Sequence, residues 1–340
     1  MDTVAYDFVD AVTGVLDTLW LQLIHPDINQ PLWSRAVKEQ LDKREYFELS
    51  VSRNGELIRC LCTRVEPSSE TLCAQWEYLE DVKLDQLLNV ARRNLRFACI
   101  VDNLAHEDDN PNIHQFTQVE FSHFLSTVVR PHLAERNSNS MKLIAADSLC
   151  RNLLLDAFHA KFYFSRIELD WCEEAAAFME DQINVNRFLT AITVQGRGTW
   201  SSSNVRSLQK FLMRERPKST VRLLYFLDSD IQITVDFFKD FPTYWEANPQ
   251  INFCLIMDKT NVAFTNSEFQ ALFAESCLVS EGNIVALQPD RSARSRLLFA
   301  RDCASSTAAS LALIHCSCNE KSGLCWLKYC IPGMHSIVNF

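Results

Sequence analysis

Apolar residues at the start of the chain recur every four residues, which is the spacing of an amphipathic helix. The positions that define this apolar face are Val4, Phe8, Val12 and Leu16. Residues 19–24 form a second short apolar stretch, and residues 31–43 return to helical spacing through Leu32 and Trp33. Three helical pieces within about 40 residues cannot bury their apolar faces alone. We therefore expect them to pack against a partner, inside or outside the chain.

Residues 46–65 consist of two β-rich runs on either side of Asn54-Gly55. Asn-Gly between such runs is a strong local signal for a β-hairpin. Residues 83–94 then return to helical spacing. The pattern thus predicts a hairpin and a helix before the main part of the chain begins.

Short apolar runs then alternate with amphipathic segments, which predicts alternating strands and helices. The predicted strands are residues 97–101, 142–146, 165–169, 190–194, 221–227 and 252–257. Five of these six strands are followed directly by an aspartate, namely Asp102, Asp147, Asp170, Asp228 and Asp258. One strand and one helix in each repeating unit is typical of a solenoid. We therefore expect an irregular, leucine-rich-repeat-like α/β arc.

A doubly wound parallel sheet is the rival architecture, because it also alternates strands with helices. Such a sheet often binds a nucleotide at a glycine-rich turn after a strand. The chain has only 7 glycines, and no GxxxxGK or GxGxxG pattern occurs. The aspartates at the strand ends leave no room for a close approach of backbone to pyrophosphate, so the arc is the favoured reading.

These patterns divide the chain into three predicted regions. Residues 1–43 form a helical region, residues 44–282 the hairpin and the repeat-like α/β region, and residues 283–340 a β-rich C-terminal cap. The cap should contain strands near 283–287 and 297–300, and then a hairpin. Its role would be to cover the last repeat, as terminal units of solenoids do.

The charge of the chain argues against two classes of partner. The formal net charge is −10, which opposes the phosphates of nucleic acid and anionic lipid. No lysine or arginine precedes Arg35, and no apolar run approaches the 18 residues or so of a membrane span. We expect a cytoplasmic or nuclear protein without nucleic-acid or membrane partners. Its 13 cysteines are then small buried hydrophobes rather than disulfides.

Residues that could carry chemistry have structural explanations. An aspartate between a strand and a helix accepts backbone N–H groups, a role that does not require a metal. The cysteines Cys316, Cys318, Cys325 and Cys330 lack the Cys-x2-Cys spacing of common zinc sites. The chain has no Gly-x-Ser-x-Gly nucleophile elbow. We therefore predict no catalytic residue, metal or cofactor, although Trp200, expected to be exposed, would suit a binding surface.

Residues 4–41 resemble an F-box. The resemblance rests on the opening Val4-Ala-Tyr-Asp-Phe8-Val9, on the apolar residues 19–24, and on Leu32-Trp33-Ser34. Together with the following hairpin, this beginning looks like a family of F-box-like proteins that is expanded in nematodes. That family carries an F-box-associated, repeat-like α/β region, which would correspond to the rest of the chain.

The resemblance implies a substrate receptor of a cullin-RING (SCF-type) ubiquitin ligase. Residues 4–41 would dock on the ligase adaptor protein, and the repeats would hold an unknown target protein. The residues expected to carry the docking are Val4, Phe8, Val12, Leu16, Leu32 and Trp33. Each of them could instead belong to the core of the protein.

Two other functions remain open. The chain could be a protein-binding scaffold outside any ligase, whose N-terminal helices only cap the solenoid. It could also be an α/β enzyme that uses Asp102, Asp147 and Asp170. Exposure of Phe8 and Val12 would favour docking, whereas their burial against the hairpin would favour capping.

Overall fold

The computed structural model describes residues 6–14, 16, 21, 25–67, 76–104, 110–134, 139–144, 147–196, 198, 200–214, 222–248, 253–272, 277–281, 284–288, 295–300 and 308–315. The chain is an α/β protein with mixed, mostly parallel sheet flanked by helices. It divides into two compact units, the first ending at Ile167 and the second beginning at Glu168.

The first unit begins with a pair of helices and continues with a mixed sheet. Its elements are α1 (Tyr6–Gly14), α2 (Pro31–Lys43), β1 (Glu45–Asn54), β2 (Leu57–Pro67), β3 (Trp76–Val82), α3 (Leu84–Asn89), β4 (Leu95–Val101), β5 (His114–Phe116), α4 (Gln118–Phe124), β6 (Ser140–Leu143) and α5 (Ser148–Phe158). A short 3-10 helix, His25–Asp27, precedes α2, and a π-helical segment, Leu125–Val129, continues α4.

The strands of the first unit are ordered β6-β4-β1-β2-β3, and β5 pairs with β2. Strands β1, β4 and β6 run parallel, whereas β1, β2 and β3 form an antiparallel meander. The turn between β1 and β2 contains Gly55 with φ +61, a left-handed conformation that glycine adopts easily. The hairpin predicted from Asn54-Gly55 is thus confirmed.

The second unit alternates strands and helices and ends in an antiparallel meander. Its elements are β7 (Arg166–Asp170), α6 (Glu173–Val185), β8 (Ala191–Gln195), α7 (Ser202–Met213), β9 (Arg222–Leu227), α8 (Phe241–Ala247), β10 (Phe253–Asp258), α9 (Asn266–Ala271), β11 (Cys277–Glu281), β12 (Ile284–Gln288), β13 (Ser295–Ala300) and β14 (Ala308–His315). The strand order is β7-β8-β9-β10-β14-β13-β12-β11, with β8, β9 and β10 parallel.

Parallel strands within each unit follow one another in chain order, without the reversal that defines a doubly wound sheet. In the second unit the register places Ile192, Leu224 and Leu255 side by side, all fully buried. The neighbouring row, Thr193, Tyr225 and Ile256, is only partly buried. One face of this sheet is therefore packed more completely than the other.

All six strands predicted from the apolar runs are present, as β4, β6, β7, β8, β9 and β10. The helix predicted over 31–43 is present with the same bounds, and the β-rich character of 283–340 is confirmed by β12, β13 and β14. The helix predicted over 83–94 was too long, since it ends at Asn89 and residues 92–94 form a turn. Of the stretch 19–24 only Leu21 is described, and the second strand of the predicted C-terminal hairpin lies outside the described residues.

Candidate functional site

Helices α1 and α2 are held together by polar side chains along their contact. The Tyr6 hydroxyl donates to the Glu39 carboxylate, and Gln40 Nε2 donates to Asp10 Oδ1 at 2.8 Å. The hydrogen bond from Tyr6 lowers the pKa of Glu39 below its usual range. Helix α2 begins at Pro31, which is tolerated in a first helical turn because no N–H is needed there. The two helices therefore form one defined pair.

Arg44 ties this helix pair to the sheet, because it lies between α2 and β1. Its buried guanidinium donates to the carbonyl oxygen of Leu16 at 2.8 Å and to that of Thr13 at 2.9 Å. The Thr13 carbonyl lies in the last turn of α1, where a positive charge is favourable, and Leu16 follows two residues after the helix. The orientation of α1 is thus fixed by a residue that the spacing of apolar residues does not reveal.

The buried side of α1 is formed by Val9 and Thr13, one helical turn apart and both fully buried. The Thr13 hydroxyl donates to the carbonyl oxygen of Val9 at 2.9 Å, so its polar atom has a partner inside. Phe8 lies elsewhere on the helix and is 58% exposed.

The other residues predicted to carry docking are distributed around this helix pair. Val12 and Leu16 are partly exposed, and so are Leu32 and Trp33 in the first turn of α2. Val4 lies outside the described residues. On α1 the predicted spacing therefore follows the exposed Phe8 and the partly exposed Val12, not the buried side of the helix.

Aspartates at the strand ends of the first unit bind backbone N–H groups. Asp147 caps α5 by accepting from the amides of Leu149 at 2.9 Å and Cys150 at 3.0 Å. Asp102 is buried and accepts from the amide of Ile144 at 2.6 Å. The capping role predicted for these carboxylates is confirmed at Asp147, whereas Asp102 binds a backbone amide just after the neighbouring strand β6.

The aspartates of the second unit behave similarly. Asp258 accepts from the amide of Asp228 at 2.9 Å, and Asp170 accepts from the amide of Trp171 at 3.0 Å. Gly196, with φ +89, passes so close to Asp170 that a Cβ atom would lie 1.7 Å from Asp170 Oδ1. Among the residues that the structure describes, no three histidine, cysteine, aspartate or glutamate side chains are grouped to hold a metal ion. The four cysteines from Cys316 to Cys330 lie outside that part of the chain.

A polar row crosses the sheet of the first unit in register, a feature that the sequence analysis missed. Its members are Asp81, Thr63, Glu48, Cys99 and Ser140, each paired with the next across neighbouring strands. Buried Glu48 accepts from the hydroxyls of Tyr78 at 3.0 Å and Ser50 at 3.2 Å. A glutamate within the apolar run of β1 was the signal that could have located this row.

The polar row does not have the properties of a catalytic centre. Burial, with Glu48 nearby, raises the pKa of Cys99 to about 12, so the thiol stays protonated at neutral pH. The hydroxyl of Thr63 donates to Asp81 at 2.8 Å instead of facing a base. These side chains are engaged with one another, which is typical of a structural network.

One pocket among the described residues also bears on the enzyme hypothesis. It measures about 350 Å³ and lies beside α3, where Leu84, Leu88 and His114 form part of its wall. No serine, threonine or cysteine lines it, so His114 has no nucleophile to activate there. Trp200, predicted to be exposed, is in fact buried, so it offers no binding surface.

Comparisons of the chain with models of protein families, with curated proteins and with solved structures give no match. In the part of the chain that the structure describes, no helix combines the length and the apolar character needed to cross a membrane.

Proposed function

We propose that the chain is a protein-binding adaptor, and specifically a substrate receptor of a cullin-RING (SCF-type) ubiquitin ligase. Residues 4–41 dock on the ligase adaptor, and the α/β region holds a target protein, in the cytosol or the nucleus. The observation that carries this proposal is the 58% exposure of Phe8 on a helix whose other side is fixed to the protein. The proposal assigns no catalytic residue, metal or cofactor.

An exposed phenylalanine beside partly exposed apolar residues suits a helix that binds in a groove. Phe8 and Val12 lie four residues apart on α1, the spacing with which helices present anchors to a partner, and Leu16 follows the end of the helix. Complete burial of a phenylalanine ring stabilises a contact by about 2 kcal/mol, so Phe8 alone could contribute much of the affinity. Leu32 and Trp33 would extend the contact on α2.

We further propose that the α/β region is an irregular leucine-rich-repeat-like arc. The chain order of the parallel strands supports this arc. Strand-to-strand connections are right-handed, so when each new strand is added on the same side of the last one, the connecting helices all lie on one face of the sheet. Turns after β9 and β10 also lie directly against each other. The amide of Ile233 donates to the backbone carbonyl oxygen of Asn261 at 2.8 Å. The amide of Ala263 donates to the carbonyl oxygen of Ile233 at 2.9 Å.

Buried Asn261 strengthens this contact between successive turns. Its Nδ2 donates to the carbonyl oxygens of Ser229 at 2.6 Å and Ile231 at 2.8 Å. Neighbour-to-neighbour contacts of this kind are what stabilise repeat proteins. The partly exposed row of Thr193, Tyr225 and Ile256 then supplies a sheet face on which a target protein could bind.

Co-purification with the ligase adaptor tests the docking step. The full chain and its Phe8→Asp variant are each co-expressed with the adaptor, and the matched control is Val119→Asp, since Val119 is 79% exposed on α4. We expect the wild type and Val119→Asp to retain the adaptor and Phe8→Asp to lose it. Absence of the adaptor from the folded wild-type protein would refute the ligase function.

A scaffold whose N-terminal helices only cap the α/β region is the second candidate. It is favoured by the buried contacts of Arg44 with Leu16 and Thr13, which a cap would need. The two candidates differ in what Phe8→Asp changes. If the N-terminal helices are only a cap, neither the wild type nor Phe8→Asp should bind the adaptor.

A further inference from the structure

Strand β3 lies at the edge of the sheet in the first unit. It pairs with β2 from Pro67↔Trp76 to Cys62↔Val82, and no other described strand lies along its second side. An edge strand presents a row of backbone N–H and C=O groups that can pair with another chain. Such edges accept extended peptides in several kinds of protein recognition.

The middle of β3 is open to solvent, whereas at its end the carbonyl oxygen of Asp81 accepts from Asn112 Nδ2 at 3.2 Å. Four residues in succession, Glu77, Tyr78, Leu79 and Glu80, are exposed, so both faces of the strand meet solvent. Tyr78 is 64% exposed and Leu79 51%, and the strand contains neither lysine nor proline, two residues that commonly protect edges. The Tyr78 hydroxyl is held by buried Glu48 at 3.0 Å, which limits the positions of the ring.

The charge of β3 decides between possible occupants. The strand carries three carboxylates and no basic residue. Glu80 forms an ion pair with Arg64 at 2.8 Å, and Asp81 accepts from the Thr63 hydroxyl at 2.8 Å. Glu77, which is exposed, is therefore the carboxylate that would meet the charge of a partner.

Antiparallel self-pairing centred between Tyr78 and Leu79 would set Glu77 directly opposite Glu80. Centring it on Leu79 would set Glu77 opposite Asp81. Like charges directly opposite one another destabilise a strand pair, which disfavours a second copy of this chain in these two registers.

We propose that β3 binds an extended, basic segment of a partner protein by strand addition. A lysine or arginine side chain of the segment lies opposite Glu77, and apolar side chains of the segment contact Tyr78 on the other face of the strand. Hydrogen bonds between the two backbones supply affinity that does not depend on the sequence of the segment, and the charges select which partner binds. This inference does not rest on docking of the N-terminal helices to a ligase adaptor.

A synthetic peptide of alternating lysine and valine, blocked at both ends, tests the inference against the full chain by fluorescence anisotropy. We expect saturable binding that Glu77→Lys weakens about fivefold, because an attractive cross-strand charge pair becomes repulsive. The matched control is Glu56→Lys, which makes the same charge change at an exposed turn of the same unit. It should leave the affinity unchanged, and the circular dichroism melting curves should show that both variants fold.

Three further outcomes would each overturn the inference. They are no binding to the folded wild type, equal weakening by Glu77→Lys and Glu56→Lys, or undiminished binding of a peptide whose alternate amides are methylated. The last peptide keeps its charges but cannot complete the backbone ladder. If Glu77→Lys does not fold, Glu77→Gln replaces it, with an expected loss of about twofold. A wild-type dimer in sedimentation equilibrium that Glu77→Lys strengthens and Glu56→Lys leaves unchanged would make a second copy the occupant and would also overturn the inference, because the substitution turns a repulsive cross-strand pair into an attractive one.

Discussion

Phe8 and Val9 are neighbours on α1 with opposite environments, since Val9 is fully buried and Phe8 is 58% exposed. Val9 shares the buried side with Thr13, and Arg44 fixes that side by binding the carbonyl oxygens of Thr13 and Leu16. The helix is therefore part of the folded protein while it presents an apolar ring outward. This division of roles underlies the proposed docking.

Charged substitutions at the two neighbours should have very different effects on stability. Val9→Asp would bury a carboxylate without a partner and should lower the free energy of unfolding by more than about 3 kcal/mol. Phe8→Asp should change it by less than about 0.5 kcal/mol, because the site is exposed. Urea denaturation of the two variants measures both values. A large loss of stability in Phe8→Asp would mean that the ring is needed inside the protein.

Replacing Arg44 by lysine should loosen α1. The lysine cannot reproduce bonds from Nη1 and Nη2 to two carbonyl oxygens, so we expect a loss of about 2 to 3 kcal/mol in unfolding free energy. Lys43→Met is the control, because the ion pair of Lys43 with Glu39 is partly exposed and its loss should change stability by less than about 1 kcal/mol. Equal stabilities for the two variants would contradict the role given to Arg44.

Two glycines with positive φ should differ in their tolerance of alanine. At Gly55, φ +61, an added Cβ meets no atom within 4 Å, so only the left-handed backbone costs energy, about 1 kcal/mol. At Gly196, φ +89, the Cβ would overlap Asp170 and the loss should exceed about 2 kcal/mol. Thermal unfolding of Gly55→Ala and Gly196→Ala compares them directly. Similar melting temperatures would show that Asp170 moves aside without cost.

Buried thiols should make the protein less stable at high pH. Burial raises the pKa of Cys62 and of Cys99 from 9.0 to about 12. The folded state then keeps protons that the unfolded state releases, so the stabilising contribution is complete below pH 9 and is lost between about pH 9 and 12. Each thiol should account for about 1.4 kcal/mol per pH unit in that range.

The double variant Cys62→Ser, Cys99→Ser isolates this contribution. Its unfolding free energy, measured by urea denaturation between pH 9 and 11, should fall less steeply than that of the wild type. Parallel slopes for the two proteins would show that these thiols ionise as easily in the folded state as in the unfolded state.

The strands of the repeat-like region could be predicted because each is an apolar run that ends at a turn-forming residue. In parallel strands such as β9 and β10 most side chains are buried, so the sequence itself carries the pattern. Strand β3 could not be predicted in this way. Four of its seven residues are consecutively exposed, and its position depends on the backbone ladder with β2 rather than on apolar spacing.

The candidate site was predictable only in part. Spacing identified Phe8 as part of an apolar line, but the rotation of α1 depends on Thr13 and Arg44, polar residues that become buried by pairing with backbone carbonyls. Trp200 illustrates the opposite error. The glycines before it, Gly196 and Gly198, indicate a turn, yet the ring is buried by packing that local sequence does not specify.

Isothermal titration of the purified full chain with the ligase adaptor tests the central claim most directly. We predict saturable binding with one adaptor per chain, weakened at least about tenfold by Phe8→Asp, which corresponds to about 1.4 kcal/mol, and unchanged by Val119→Asp. No binding by the folded wild-type protein, or equal affinities of the wild type and Phe8→Asp, would contradict the proposed docking through α1.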